Sequence, residues 1–304
     1  MTKRTMPWIS AALVLFIHAL GNAHYGYFRD ELYFIICGFH PQWGYVDQPP
    51  LVPLLAAATQ LLGHSLWLLR MVPALFGAAS AYTMCLLVDE FGGSVFAQLF
   101  ATLVFICTLV LTSFGMKVST DELNLWTWPL LAYAIVRLIK GADARLWLLA
   151  GAIAGITLES KYSIVFFLIA LVAGLLLTPQ RTVMRTPWFA AGIAVMLLIA
   201  LPNFIWQAAY GFPMLELLRN GQDGKNLVAG PLLYLIQQVI ITNLFLFPVW
   251  IIGLIWLLRK APFRAFGFAY ILLVIEMIVS HGKHYYMGAV YPILIAAGGV
   301  AIES

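Results

Sequence analysis

The chain has 304 residues, 62% of them hydrophobic and only 10% charged, with a mean hydropathy of +0.92, whereas a soluble domain is about 25% charged; an ordinary water-soluble fold is excluded. The net charge of +4 comes with no aromatic-interleaved basic patch, so nucleic acid is not an expected partner. Cys37, Cys85 and Cys107 are widely spaced and odd in number, which implies neither a disulfide framework nor a cysteine metal site.

Inside hydrocarbon every backbone polar group must be paired within its own segment, and continuous rather than alternating apolar runs select helices over a barrel. The expected class is all-α, a polytopic transmembrane helix bundle. A crossing needs roughly 20 apolar residues, and the first run covers 8–27. No small-residue cleavage pattern precedes Arg29, so this run reads as a retained span and not as a signal peptide. The loop over 28–65, FRDELYFIICGFHPQWGYVDQPPLVPLL at its start, is amphipathic and aromatic, suited to the headgroup layer. Its stretch 51–62, about 12 residues, is too short to cross and reads as an interfacial helix. Further crossings are expected over 66–88, 95–115, 122–140, 146–158, 160–177, 187–208, 231–257, 264–280 and 284–302, about ten in all. The short pair 146–158 and 160–177 also reads as two half-depth helices tipped by Glu159, Ser160 and Lys161.

With the N-terminus inside, Lys3, Arg4, Arg137, Lys140, Arg145, Arg181, Arg185, Arg259, Lys260 and Arg264 are cytoplasmic, ten of seventeen basic residues. The positive-inside rule supports that orientation. It places Asp30, Glu31, Asp47, Asp121, Glu122, Glu159, Glu216 and Asp223 outside, eight of thirteen acids, a bias to which the rule is indifferent.

Adjacent carboxylates such as Asp30 and Glu31 often only solvate a helix end, yet Asp47 and Asp121 are expected at the same depth on the same face. Acids converging at a membrane surface can act as a general base or bind a cation. For Asp121 and Glu122 a purely structural reading also stands, with Thr120 as N-cap and the acids in the first turn. Lys161 and the outer turn HGKHYY, with Lys283, His284 and Tyr285, could clamp a lipid phosphate or simply snorkel. The two histidines of HGKH lack a third ligand for a metal. Glu276, inside an apolar run, is a secondary candidate.

The ordered set of DE after the first span, DQPPL closing the long loop, TD before a later span, SKYS at a short hairpin and GKHYY before the last span resembles glycosyltransferase family 39 over residues 28–303. This is the GT-C superfamily group that contains protein O-mannosyltransferases and the aminoarabinose transferase of lipid A. The resemblance implies a GT-C helix bundle and an inverting enzyme of a bacterial-type inner membrane. Its sugar would come from a polyisoprenyl-phosphate donor and pass to a lipid, glycan or protein acceptor on the extracytoplasmic face. Carried onto this chain, it implies Asp30 as general base, Glu31 as its positioning partner, Asp47 and Asp121 lining the substrate cavity, and Lys161 and Lys283 at the donor phosphate, with His284 and Tyr285 beside them. No obligatory metal or cofactor is implied; a divalent cation is the alternative.

Gln48 stands where aminoarabinose transferases tend to carry a basic residue, so that sugar is not assigned. Family members are usually longer, continuing into further spans or an external domain. The expectation is therefore one transmembrane domain over 1–304, in minimal or truncated form. Rival readings are a transporter or lipid flippase, for which no inverted repeat is evident, and an inactive homologue acting as a partner subunit.

Overall fold

Apolar runs that must satisfy their own backbone do so here as helices: the computed structural model describes residues 2–22, 24–224 and 230–304, and no strand occurs among them. In chain order the helices are α1 (Met6–Gly21), α2 (Arg29–Phe39), α3 (Leu51–Leu62), α4 (Leu66–Glu90) and α5 (Val95–Cys107). Next come α6 (Leu109–Met116), α7 (Glu122–Ile139), α8 (Leu146–Leu158), α9 (Ile164–Leu176) and α10 (Pro187–Ala209). Last are α11 (Pro213–Gly224), α12 (Pro231–Thr242), α13 (Phe247–Arg259), α14 (Arg264–Val279) and α15 (Tyr291–Glu303). Starts are written locally. Ser65 and Ser94 accept the backbone N–H of Leu68 and Phe96 as N-caps of α4 and α5, and Thr186 caps α10 ahead of Pro187.

Hydropathy counts ten crossings. Among the described residues, four stretches are long and apolar enough to cross, Leu66–Glu90, Pro187–Ala209, Ala261–Val279 and His284–Glu303, and six if each of two bent pairs is one span. The difference has a geometric cause. α8 and α9 have 13 residues each, about 20 Å at 1.5 Å per residue, against a hydrocarbon core of about 30 Å. α1 stops at Gly21 and does not run on to Tyr27, because the carbonyls of Asn22, Tyr25 and Gly26 turn to the Arg70 guanidinium.

Two expected spans are broken. α5 and α6 meet at 70°, and α12 and α13 at 113°. Thr108 is extended at the first break and Asn243 has φ 90° at the second. The two breaks meet, since Asn243 Nδ2 donates to the Cys107 carbonyl at 3.2 Å, satisfying an oxygen the break released.

The chain passes back and forth between two ends of one bundle. At one end Lys3 pairs with Asp89, and Arg137 and Lys140 pair with Glu90. Ser94 donates to Glu303 there, and Trp147 Nε1 donates to the Val183 carbonyl. The other end gathers the loop 28–50 and the turns 117–121, 159–163 and 280–290. Nearly the whole of α15 is buried, from Tyr291 to Val300, as expected of a helix apolar all round. α10 instead turns Ile193, Leu197, Leu198 and Leu201 outward. Small residues let backbones touch: a Cβ on Gly253 of α13 would overlap the Leu294 carbonyl of α15, and one on Gly151 of α8 would overlap the Gly192 carbonyl of α10.

Candidate active site

The first acidic motif divides its labour. Glu31 is fully buried and forms a two-pronged ion pair with Arg70 of α4, Nε to Oε1 and Nη2 to Oε2, both at 2.8 Å. The same carboxylate accepts the backbone N–H of Phe28 at 2.8 Å and of Val118 at 3.2 Å. Arg70 in turn donates to the carbonyls of Asn22, Tyr25 and Gly26. An ion pair this deep persists only when its hydrogen-bonding capacity is filled. Glu31 therefore pins the start of α2 and is shut off from any substrate.

Asp30, one residue earlier, points elsewhere. Its side chain is 43% exposed, and Arg29, itself 89% exposed, lies 3.1 Å away. Asp47 is exposed and accepts the Tyr33 hydroxyl at 2.6 Å. That bond, with burial as the larger cause, pushes the Tyr33 phenol far above its ordinary range.

Asp121 and Lys161 meet. The lysine amine donates to Asp121 at 2.6 Å, with only 15% and 8% of the two side chains exposed. Asp121, and not Thr120, is the N-cap residue of α7, and its side chain makes no capping bond because Lys161 holds it. The Ser119 N–H is covered instead by Glu122 Oε2 at 3.2 Å. Lys161 sits over the Tyr286 ring at 4.2 Å and reaches the Tyr285 ring at 5.8 Å, while exposed Lys283 lies 5.9 Å from the Tyr285 centroid. Burial lowers the Lys161 pKa from its ordinary value; Asp121 opposes the shift and Lys283 adds to it. His284 stacks edge-on against Tyr285 at 5.5 Å, and its carbonyl accepts Gln238 Nε2 at 3.0 Å.

Asp121, Lys161, Lys283 and Tyr285 thus form one side-chain cluster, with Tyr286 added. Asp30, Asp47 and Asp121 each keep a separate partner. Among the described residues no three His, Cys, Asp or Glu side chains gather as a metal-ligand set. One Glu276 carboxylate oxygen is buried without a partner among the described residues. The side chain of Asp223 lies outside the described residues.

Sequence reasoning missed the fastening of the long loop. Asn203 Nδ2 donates to the Trp43 carbonyl at 2.8 Å, Trp206 Nε1 to Gln42 at 3.0 Å, and Gln207 Nε2 to the Tyr45 carbonyl and the Tyr162 hydroxyl. Tyr162 donates to Asn203, and the Leu51 N–H donates to the Glu159 carbonyl at 2.9 Å. The available signal was two amides four residues apart in an apolar run, together with the charged Arg70 at the start of another.

Comparison with known proteins agrees with the resemblance. Crystal structures of ArnT from Cupriavidus metallidurans match in the apo state, with TM-score 0.75 and 17% identity, and bound to undecaprenyl phosphate, with TM-score 0.79 and 18% identity. Each match covers 98% of this chain. The chain spans 59% and 60% of the length of the chains in those two structures, and at such identity the likeness shows a shared helical fold. No curated protein sequence matches. The family described as dolichyl-phosphate-mannose-protein mannosyltransferase matches residues 47–206, which include DQPPL, the Asp121 turn and Lys161, and the chain belongs to that family.

Proposed function

We propose that this integral membrane protein is an inverting glycosyltransferase that moves a sugar from a polyisoprenyl-phosphate donor to an acceptor hydroxyl on the extracytoplasmic face. The observation that carries the reading is the buried Lys161–Asp121 pair with Lys283 and two tyrosines beside it. Family membership supports it, and so does a similar fold that holds undecaprenyl phosphate.

The chemistry needs little else. The acceptor oxygen attacks the anomeric carbon as the bond from that carbon to the phosphate oxygen breaks, and the phosphate leaves with the electron pair. A diester with one negative charge becomes a monoester approaching two. Lys161, paired with Asp121, and Lys283 would stabilise the added charge as it develops. The acceptor proton goes to Asp30, whose exposed carboxylate is held at the α2 start by the Glu31–Arg70 anchor. Asp47 orients the loop beneath through Tyr33.

In vesicles carrying a polyprenyl-phosphate sugar, Asp30→Asn is expected to slow transfer by about 10²- to 10⁴-fold, the usual contribution of a general base, with an unchanged thermal midpoint. Undiminished turnover would remove Asp30 from the role. Movement of the donor across the bilayer with no covalent product would favour a transporter.

A further inference from the structure

The end of the bundle opposite Lys161 carries a separate feature. α7, α8, α9 and α10 enclose a groove of about 450 Å³. Trp147, Gly151, Leu171, Leu175, Phe189 and Gly192 form its floor and inner end, and exposed Ile169, Leu176 and Ile193 form its rim. Its lining is almost wholly apolar, so it holds no polar substrate. From Trp147 to Ala154 the groove runs about 10 Å along α8, at 1.5 Å per residue. One bilayer leaflet contributes about 15 Å of hydrocarbon. The groove thus has the depth of much of one acyl chain.

Three arginines stand at the helix ends that bound it. Arg145 precedes α8, Arg181 lies in the 3₁₀ turn Pro179–Met184 that packs against α9, and Arg185 lies just ahead of α10. These are the ends of the three helices that contribute Trp147, Leu176 and Phe189 to the groove. All three arginines are exposed, and among the described residues none lies within the 4.0 Å ion-pair distance of a carboxylate. Asp143 in the same turn accepts the Arg145 backbone N–H. Arg145 stacks over Trp188 at 5.4 Å, and Trp147 Nε1 donates to the Val183 carbonyl, an arrangement of rings and cations that suits the headgroup layer.

We infer that the groove binds an anionic phospholipid of the leaflet at this end, one acyl chain lying between α8, α9 and α10 and its phosphate held by Arg145, Arg181 and Arg185. Guanidiniums match phosphate oxygens in geometry as well as charge. The site is distinct from the Lys161 cluster, which lies beyond the other ends of α8 and α9.

The test is native mass spectrometry of the delipidated full-length protein, titrated with phosphatidylglycerol and with phosphatidylcholine of the same chains. One phosphatidylglycerol per chain is expected, preferred on the order of 100-fold, if each arginine contributes as basic residues near an anionic surface do. The triple variant Arg145→Gln, Arg181→Gln, Arg185→Gln should lose the preference. Ala173→Phe, which fills the groove, should lose retention of both lipids. If Ala173→Phe fails to fold, Ile169→Trp at the rim is read in its place. A photoreactive group at Val172 should label the phospholipid. Equal retention of both lipids, full retention by the filled variant, a preference for polyprenyl phosphate, or labelling of a protein segment at Val172 would each overturn the inference.

Discussion

At the scale of single residues, burial decides which carboxylate is exposed and which is enclosed. Asp30 and Glu31 are neighbours in sequence, yet one is exposed and the other fully enclosed with Arg70. Their helical positions are 100° apart, so only one can face the bundle. Glu159 is a third case. Its carbonyl holds the DQPPL segment, while one carboxylate oxygen is buried with no partner among the described residues. Burial pushes its pKa from the ordinary 4.5 up to about 7. The folded state then holds this proton more tightly than the unfolded chain, so the contribution of Glu159 to stability is full below 4.5 and is lost as pH rises through about 7. The apparent thermal midpoint in detergent should fall between pH 5 and 8, and Glu159→Gln should flatten that fall. A slope unchanged in the variant would assign it to other groups.

Among the elements, contact between backbones matters more than side-chain bulk. Hydrocarbon offers little hydrophobic drive between helices, so close approach through small residues supplies the packing. Gly253 faces the Leu294 carbonyl, and α13 lies along the central α15 at that point. Gly253→Leu should destabilise the bundle by about 1–3 kcal/mol, the usual range for overpacking, seen as a lower thermal midpoint. Gly267→Ala is the milder comparison, because the added carbon meets mainly the flexible Leu258 side chain. Equal loss in both would show that side-chain crowding, and not backbone approach, sets the limit. The broken pairs α5–α6 and α12–α13 belong to this scale too. Their apolar runs are continuous in sequence, so hydropathy reads each as one span. The breaks depend on Thr108, Asn243 and the bond from Asn243 to the Cys107 carbonyl, and no periodicity encodes that bond.

For the molecule as a whole, the long first loop has to be held over one end of the bundle. Arg70 does this from a distance of 39 residues in sequence to Glu31, and Asn203 from 160 to Trp43. Removing one partner of a buried ion pair typically costs 3–5 kcal/mol, because the other charge is left uncompensated. Arg70→Met is therefore expected to lower the midpoint strongly and to open residues 28–50 to protease, whereas Arg70→Met combined with Glu31→Leu should recover part of the loss. No recovery in the double variant would show that the carbonyl contacts of Arg70 matter more than its charge. The all-helical membrane class, the alternation that puts the basic clusters at one end, and the order of motifs that resembles family 39 are legible from the residues alone, since they follow from apolar run length and local residue type. Packing in three dimensions makes Glu31 an anchor and leaves Asp30 accessible, sets Asp121 against Lys161 instead of capping its own helix, and breaks two spans. Each of those outcomes depends on a partner tens of residues away, and desolvation at the meeting point, not local propensity, selects it.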